Sequence, residues 1–232
     1  ETNRKIIDSI ATYNLPYTEN SKQNLIKEHY NKNYVFKIGN PLFEVITNYR
    51  NQIENSQILD KLNLKSNEYI LISVHRSENV DNKNSLRQII NFINDISNNY
   101  KNIKLVLSLH PRTEDKINSL NLKLNDNVIV CKPFGYFDFI KLEMNSLCVI
   151  SDSGSVPEEC QIFKKHCIIM REFIERHELI ENGSCILTGA NCDNILQAFQ
   201  NIIKFKTDWI DIPEYIDNNV SDKVIRILLS KK

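Results

Sequence analysis

The amino-acid sequence predicts an α/β fold in which helices cover both faces of a parallel sheet. From about residue 69 onward, short apolar runs alternate with segments whose apolar residues recur at helical spacing. The apolar runs contain few polar interruptions, as is typical of strands that are buried on both faces. The alternation continues over roughly 135 residues, which favours a parallel sheet over separate strand and helix layers.

The predicted strands and helices follow one another in a regular order. Strands are predicted at residues 69–74, 104–109, 128–130, 147–151, 167–170 and 184–187. Helices are predicted at residues 86–96, from about 112, at 136–144, from about 156, at 195–203 and at 220–229. Crossovers between parallel strands are right-handed, so the carboxyl ends of all these strands should lie at one edge, where open α/β sheets bind ligands.

The first 65 residues follow a different pattern. Residues 13–18 and 35–40 are predicted strands, residues 20–29 a helix, and Pro41 opens a helix that extends to about residue 56. Two strands and two helices bury too little apolar surface for a core of their own. The predicted organisation is therefore a remnant of another domain with a polar linker at 1–65, a sheet domain at 66–218 and a terminal helix at 219–232.

Composition excludes several classes of function. The 29 basic and 29 acidic residues balance, so no overall field attracts nucleic acid or acidic lipid. No apolar run approaches the ~18–20 residues of a membrane span. The six cysteines have no C-x-x-C pair or common zinc spacing. We interpret them as small reduced core residues of a cytoplasmic protein, and we expect no metal site.

Basic side chains follow the first two predicted strands. His75 and Arg76 lie in the sequence S-V-H-R-S-E-N at residues 73–79 and offer two donors to a phosphate group. The alternative is a solvated loop with one capping histidine. His110 follows the next strand and should lie at the same edge, although Pro111 after it also fits the simple start of a helix.

A serine and glycine turn leads from the fourth predicted strand into a helix. The sequence S-D-S-G-S-V-P-E-E at residues 151–159 places free backbone N–H groups and a helix dipole where a diphosphate could bind. Gly154 allows the backbone to approach the anion closely, and the Glu159 carboxylate suits ribose hydroxyl groups. Ordinary capping of the helix by Ser153, with a glutamate in the first turn, is the alternative.

Two further clusters follow strands of the same sheet. The aromatic-rich segment P-F-G-Y-F-D-F at residues 133–139 could stack on a nucleobase, although an aromatic stripe of this kind also fits a hydrophobic core. Arg176, in E-R-H-E at residues 175–178, could pair with a sugar phosphate, or the segment could be a surface loop held by salt bridges. All five clusters would converge on one crevice.

The order of these motifs resembles the non-hydrolysing UDP-N-acetylglucosamine 2-epimerase family. The matching motifs are H-R-x-E-N, H-P, P-x-x-Y-x-x-F, D-S-G-x-x-x-E-E and E-R-x-E, and the opening E-x-N-R-K and the I-G-N-P at residues 38–41 extend the resemblance over nearly the whole chain. The resemblance implies a glycosyltransferase-B architecture of two Rossmann-like domains, of which this chain holds the C-terminal one and a remnant of the first. The terminal helix would return toward the first domain.

The resemblance also implies where UDP would bind. Phe139 and the backbone near Pro133 would hold the uracil, Glu159 the ribose, and Ser153 with Gly154 the diphosphate. The residues expected to contact substrate are Arg76, Glu78, His110, Phe139, Ser153, Gly154, Ser155, Glu159 and Arg176.

The implied reaction eliminates UDP to leave a glycal and adds it back after C2 is reprotonated on the other face. His75 would be the catalytic residue in this chain, and neither a metal nor NAD would be needed. The family's catalytic carboxylates lie mostly in the first domain. Glu1 matches the second glutamate of the family's P-E-E-x-N-R, so we expect most of that domain, and with it these carboxylates, to be absent from this chain. The chain also departs from the family pattern at Ser155, which replaces a glycine, and at His177, which replaces a proline.

Three functions fit this pattern. The first is an epimerase of UDP-N-acetylglucosamine or a related UDP-N-acetylhexosamine in surface-polysaccharide synthesis, present here as a UDP-binding portion or half-enzyme. The second is a UDP-sugar glycosyltransferase of the same fold, and the third is a non-catalytic nucleotide-sugar binding subunit. The expected partner is a second copy of the chain or a separately encoded N-terminal half, with no nucleic acid and no membrane.

Overall fold

The computed structural model describes residues 2–205 and 208–230. The chain divides into two compact units, one formed by Tyr49–Ile210 and the other by Glu1–Asn48 together with Asp211–Lys232. Glu1, which carries part of the family resemblance, and the last two residues of the predicted terminal segment lie outside the described residues.

The larger unit contains a sheet of six parallel strands, which confirms the predicted fold class. The strands are β1 (Tyr69–Val74), β2 (Lys104–Leu109), β3 (Val128–Cys131), β4 (Cys148–Ser151), β5 (His166–Ile169) and β6 (Cys185–Leu187). Their order across the sheet is β3-β2-β1-β4-β5-β6. The chain therefore runs outward from β1 in one direction, returns to β4 and continues in the other, so the crevice between the ends of β1 and β4 is the position where this topology binds ligands.

Helices connect the strands of this unit and lie on both faces of the sheet. They are Arg50–Glu54, Ile58–Lys61, Ser77–Val80, Lys83–Asn99, Pro111–Ser119, Tyr136–Asn145, Val156–Ile162, His177–Glu181 and Cys192–Lys204. Ile70 and Ile72 of β1 pack in one core with residues of the helices Lys83–Asn99 and Cys192–Lys204. Leu71, between them, points to the opposite face of the sheet and is also fully buried. Burial on both faces explains why the strand sequences are apolar throughout.

The longest helix shows how the sequence specifies these elements. Leu86, Ile89, Ile93 and Ile96 recur at helical spacing along Lys83–Asn99, and all four are buried. The Asn82 side chain precedes this helix and accepts hydrogen bonds from the backbone N–H groups of the first turn. The helix is thus fixed at its start by a cap and along its length by the core.

The predicted domain boundary at residue 66 is wrong, because the larger unit already begins at Tyr49. The short helices Arg50–Glu54 and Ile58–Lys61 pack against Tyr136–Asn145. The Ser56 hydroxyl donates to the Asp138 carboxylate at 2.5 Å. A polar linker at 63–67 therefore lies inside the unit rather than between two units.

The predicted helix from Pro41 to residue 56 is also divided. It forms Leu42–Asn48 and Arg50–Glu54, with Tyr49 between them in a non-helical backbone conformation. The two pieces belong to different compact units. The break was missed because the apolar spacing continues across it, with Ile46 buried in the first piece and Ile53 in the second.

The smaller unit contains the helices Thr2–Ile10, Glu19–Lys27, Leu42–Asn48 and Val220–Leu229. The first was missed from the sequence, because none of its residues is buried. The last occupies the predicted residues, and the backbone N–H and hydroxyl of Ser221 donate to the Glu44 carboxylate at 3.0 and 2.8 Å. Short 3-10 turns lie at Lys32–Tyr34 and Pro213–Tyr215.

The two strands predicted in the first 65 residues are not formed as strands. Their segments run parallel and share one isolated bridge, between Asn14 and Val35. The N–H groups of Phe36 and Ile38 donate to the carbonyls of Asn14 and Pro16 at 3.0 and 3.1 Å. Pro16 has no N–H group of its own, which interrupts the reciprocal half of a regular ladder.

All six cysteines are free thiols, and five of them are buried. Within the described part of the chain, none of the helices combines the length and the apolar character that crossing a bilayer requires.

Two isoleucines on Cys192–Lys204 test the placement of the core. Replacing Ile195, which is fully buried, with alanine should lower the free energy of unfolding by about 2–5 kcal/mol through lost burial and a cavity. The matched change at Ile203, which is 40% exposed, should cost about 1 kcal/mol or less. Chemical denaturation followed by the fluorescence of the single tryptophan measures both, and equal losses would contradict this orientation of the helix.

Candidate functional site

The Asp152 carboxylate joins the ends of the two central strands. It is fully buried directly after β4 and accepts hydrogen bonds from the backbone N–H groups of His75 and Arg76, which follow β1, at 3.1 and 3.0 Å. The Asn79 side-chain amide donates to the same carboxylate at 3.1 Å and to the carbonyl of Met170, after β5, at 2.8 Å. One aspartate and one asparagine therefore fix the relative positions of three strand ends.

The predicted catalytic residue, His75, lies at this junction with its side chain 45% exposed. Its Nδ1 is 3.4 Å from Oδ1 of Asp152. A carboxylate beside Nδ1 orients an imidazole ring so that the opposite nitrogen, Nε2, can exchange a proton with a ligand. The capping role offered as the alternative for His75 is not the arrangement seen, since Arg76 and not His75 is the N-cap residue of Ser77–Val80.

Arg76 lies against the loop that follows β4. A side-chain Cβ added at Gly154 would be 3.4 Å from an Arg76 guanidinium nitrogen, so this guanidinium lies at about van der Waals distance from the loop. Nη1 of Arg76 is 3.9 Å from the carboxylate of Glu78, which is 71% exposed and therefore a weak competitor for the charge. A cation thus stands next to a glycine in the crevice between β1 and β4.

The loop after β4 leads into the helix Val156–Ile162. Ser153 donates its backbone N–H to the Ser151 hydroxyl at 3.0 Å. The N-cap residue is Ser155, not Ser153, so the capping alternative is wrong for Ser153. The Ser155 side chain makes no capping hydrogen bond and is exposed, which leaves its hydroxyl at the ligand edge.

The loop after β5 is held by ion pairs, as the structural alternative for this segment predicted. Nε of Arg176 is 2.5 Å from Oε1 of Glu158, which is almost fully buried. Arg171 pairs with both oxygens of Glu175, at 3.0 and 2.9 Å, and these hydrogen bonds lower the pKa of the Glu175 carboxyl. His177 is the first residue of His177–Glu181, a position at which proline is favoured.

Glu159 lies one turn into Val156–Ile162 and is 5% exposed. Burial, reinforced by the charge of Glu158, raises its pKa to about 7, while a hydrogen bond with Glu143 opposes that rise. Glu143, at 0% exposure, has a pKa well above the ordinary glutamate value because of burial and the neighbouring Glu159. Burial also raises the pKa of Tyr136 to about 12.

Two other predicted site residues have simpler surroundings. His110 is exposed, and its Nδ1 accepts the backbone N–H of Arg112 at 3.2 Å, so it caps the helix that Pro111 starts. Thr113 in that helix donates to the carbonyl of Val74 at 2.8 Å, which ties the helix to the end of β1. Phe139 is half-buried in the first turn of Tyr136–Asn145.

The structure brings several predicted site residues together and shows further residues whose roles the sequence did not reveal. His75, Arg76 and Gly154 lie at one junction, and the helix start that carries Ser155 and Glu159 continues from it. Sequence reasoning did not identify the roles of Asp152, Asn79 and Glu143. The signal for Glu143 was its position three residues after Ile140, on a face of the helix where an apolar residue would be expected.

Comparisons with known proteins identify the family of this chain. Residues 1–229 match the family model described as UDP-N-acetylglucosamine 2-epimerase. A UDP-N-acetylglucosamine 2-epimerase from Methanocaldococcus jannaschii is 32% identical over 98% of this chain and 63% of its own length. A Pseudomonas aeruginosa UDP-2,3-diacetamido-2,3-dideoxy-D-glucuronate 2-epimerase is 40% identical over 56% of this chain and 36% of its own length.

A solved structure shows the same similarity in three dimensions. The crystal structure of the M. jannaschii UDP-GlcNAc 2-epimerase, in complex with UDP-GlcNAc and UDP, superposes with a TM-score of 0.89 at 32% identity. The superposition covers 99% of this chain and 64% of that structure. The chain therefore spans less than two thirds of the length of these relatives.

Replacing Asp152 with asparagine tests the junction of β1 and β4. The neutral side chain would lose the charge that three donors share and would point N–H groups at one of them, so we expect the free energy of unfolding to fall by about 2–4 kcal/mol. The exposed Asp126 changed to asparagine should alter it by less than about 0.5 kcal/mol. Chemical denaturation measures both, and equal effects would contradict the role of Asp152.

Proposed function

Since the chain belongs to the UDP-N-acetylglucosamine 2-epimerase family, we propose that it is the UDP-binding part of an epimerase. The enzyme would interconvert UDP-N-acetylglucosamine and UDP-N-acetylmannosamine, or another pair of UDP-N-acetylhexosamines. The observation that carries the proposal is the junction at Asp152, because it sets His75 and Arg76 beside the Gly154 loop in the crevice where this sheet topology binds ligands.

The diphosphate would bind between Arg76 and the loop that carries Ser153, Gly154 and Ser155. The guanidinium offers charge-assisted hydrogen bonds to phosphate oxygens, and the exposed Ser155 hydroxyl adds a donor where the family has glycine. Glycine at 154 would let a phosphate approach the backbone closely, at a point that the Arg76 guanidinium already adjoins. Together these groups would stabilise the charge of departing UDP.

The nucleoside would lie further along the same edge. Glu159 would accept hydrogen bonds from the ribose hydroxyls, and Phe139, with the backbone near Pro133, would hold the uracil. The burial of Glu159 supports this role, because a carboxylate shielded from water forms stronger hydrogen bonds with a bound hydroxyl. Glu78 and His110, at the ends of β1 and β2, would contact the substrate from the outer side of the crevice.

In the reaction, a base removes the proton from C2 of the hexosamine while the C1–O bond to UDP breaks, which leaves a C1–C2 double bond. UDP then adds back at C1 as C2 receives a proton on the opposite face. His75, with Asp152 at Nδ1, is placed to hold or deliver a proton at Nε2 beside the diphosphate. Arg176 would reach the phosphate or the sugar from its pairing with Glu158.

The family resemblance suggests further parts of the proposal, which concern the other half of the active site and the assembly. The carboxylates that exchange the C2 proton would come from the part of the family fold that this chain does not cover, either in the same polypeptide or in a separately encoded half. We also propose a homodimeric or two-chain assembly that acts in the cytoplasm on precursors of surface polysaccharides. Free buried thiols are consistent with a reducing compartment.

Calorimetric titration of UDP into this chain tests the binding half of the proposal. We expect saturable binding that weakens about ten-fold or more in His75→Ala and in Glu159→Ala, as lost hydrogen bonds to charged groups do. Glu68→Ala, an exposed glutamate before β1 at the opposite edge of the sheet, should bind like the parent chain. Full binding in both site variants would contradict the assignment.

The catalytic half is tested by incubating the chain with UDP-N-acetylglucosamine and analysing the products. We expect no epimer at C2 from this chain by itself and recovery of epimerisation when the missing part of the family fold is supplied. Epimerisation by the chain alone would contradict the division of roles, and transfer of the sugar to an acceptor would indicate a glycosyltransferase.

A further inference from the structure

Glu143 is a buried acid whose neighbours do not compensate a negative charge. It lies in the last turn of Tyr136–Asn145 and is fully buried. Within residues 2–205 and 208–230, neither of its carboxyl oxygens accepts a hydrogen bond from an N–H or hydroxyl donor. An ionised carboxylate in such surroundings is costly, so this side chain requires an explanation that packing alone does not give.

The groups that face Glu143 come from four elements. They are Tyr69 on β1, Tyr136 on the same helix, Glu159 and Cys160 on Val156–Ile162, and Cys167 on β5. None of these five groups is a cation. The Tyr69 hydroxyl already donates to the carbonyl of Leu142 at 2.5 Å, so it does not serve the carboxyl.

Of the five groups, the Glu159 carboxyl is the one that lies within hydrogen-bonding reach of Glu143. Two carboxylates in contact repel each other and cannot both stay ionised near neutral pH. If Glu143 is protonated, it gains one O–H donor, and a Glu159 carboxylate is a strong acceptor for it. One proton then satisfies both groups.

We propose that Glu143 carries the proton of this shared pair and donates it to Glu159, and so acts as a positioning residue for the Glu159 carboxylate. Glu143 is fully buried, whereas Glu159 keeps 5% of its surface exposed, so a hydrogen bond from Glu143 would fix one carboxylate oxygen of Glu159 and leave the other for the ligand. This inference rests on the proposed function for one part only, the assignment of Glu159 to the ribose hydroxyls. The shared proton itself is independent of any ligand.

Two substitutions separate donation from packing. Glu143→Gln keeps the shape and can always donate an N–H to Glu159, but it cannot carry a charge. Glu143→Leu fills the site without any donor and leaves Glu159 without its partner, so its folding is verified in the same unfolding measurements before binding is compared. Glu68→Gln, the same chemical change at an exposed position, is the control.

The shared proton is tested on the unliganded protein by measuring the free energy of unfolding between about pH 5 and pH 8. A raised pKa in the folded state means that the folded chain binds more protons than the unfolded chain, so its stability falls as the pH rises through this window. We expect a smaller decrease in Glu143→Gln than in the parent chain and in the control. Equal decreases in all three proteins would overturn the shared proton.

Positioning is tested by UDP titration of the same proteins across the same pH window. At pH 7 we expect Glu143→Gln to bind within about two-fold of the parent and Glu143→Leu to bind about ten-fold more weakly, the effect of one hydrogen bond to a charged group. Above pH 7 the affinity of the parent should decrease more than that of Glu143→Gln. Parent-like affinity and pH dependence in Glu143→Leu would overturn the positioning role.

These measurements also test the shared proton and the proposed UDP-binding function separately. If the parent chain fails to bind UDP but its stability falls with pH more steeply than that of Glu143→Gln, the proposed function fails and the shared proton stands. If UDP binds and the stability curves coincide, the proposed function stands and Glu143 is overturned as the carrier of the proton.

Discussion

The arrangement of the site depends on one buried carboxylate. Asp152 accepts two backbone N–H groups from the chain after β1 and one side-chain amide from Asn79, while Asn79 reaches the end of β5. The backbone hydrogen bonds of the sheet stop where the strands end, so they do not fix the path of the loops that follow. The hydrogen bonds to Asp152 fix that path, so His75, Arg76 and the Gly154 loop keep their spacing because this carboxylate is fully enclosed and accepts from three donors.

The larger unit contains a second kind of buried acid. Asp152 accepts hydrogen bonds from three donors, whereas Glu143 faces tyrosines, thiols and another carboxyl. Both side chains are buried, but of the two only Asp152 has hydrogen bonds, within the described part of the chain, that compensate the loss of water. Donors allow a buried carboxylate to keep its charge, and their absence favours the neutral acid. The unit therefore combines a carboxylate whose hydrogen bonds shape the backbone with a pair of carboxyls, Glu143 and Glu159, whose pKa values are raised by burial. Two adjacent glutamates therefore have different partners, since Glu158 pairs with Arg176 whereas Glu159 lies against Glu143.

Much of the fold could be predicted from the sequence, because strands covered on both faces leave uninterrupted apolar runs and helices leave a periodic one. The ligand edge followed from topology once the strands were placed. Features that depend on single residues or distant contacts were missed. Pro16 interrupts a strand pair, Tyr49 divides an apolar pattern that continues across it, and helices before residue 66 pack on a helix some 80 residues later. For the site, residue type and position predicted the strand-end clusters. They did not predict that Arg176 pairs with Glu158 or that Glu143 lies against Glu159, since those contacts join different elements.

The central claim is that the crevice between β1 and β4 is a UDP site within this chain. It is tested most directly by labelling the five glycines with ¹⁵N and following their amide resonances during a titration with UDP. The account predicts the largest shift at Gly154 in the loop after β4 and a smaller one at Gly135 beside the aromatic segment. The resonances of Gly39 in the smaller unit and Gly183 before β6 should stay in place. A saturable shift at Gly39 or Gly183 with none at Gly154 would contradict the account.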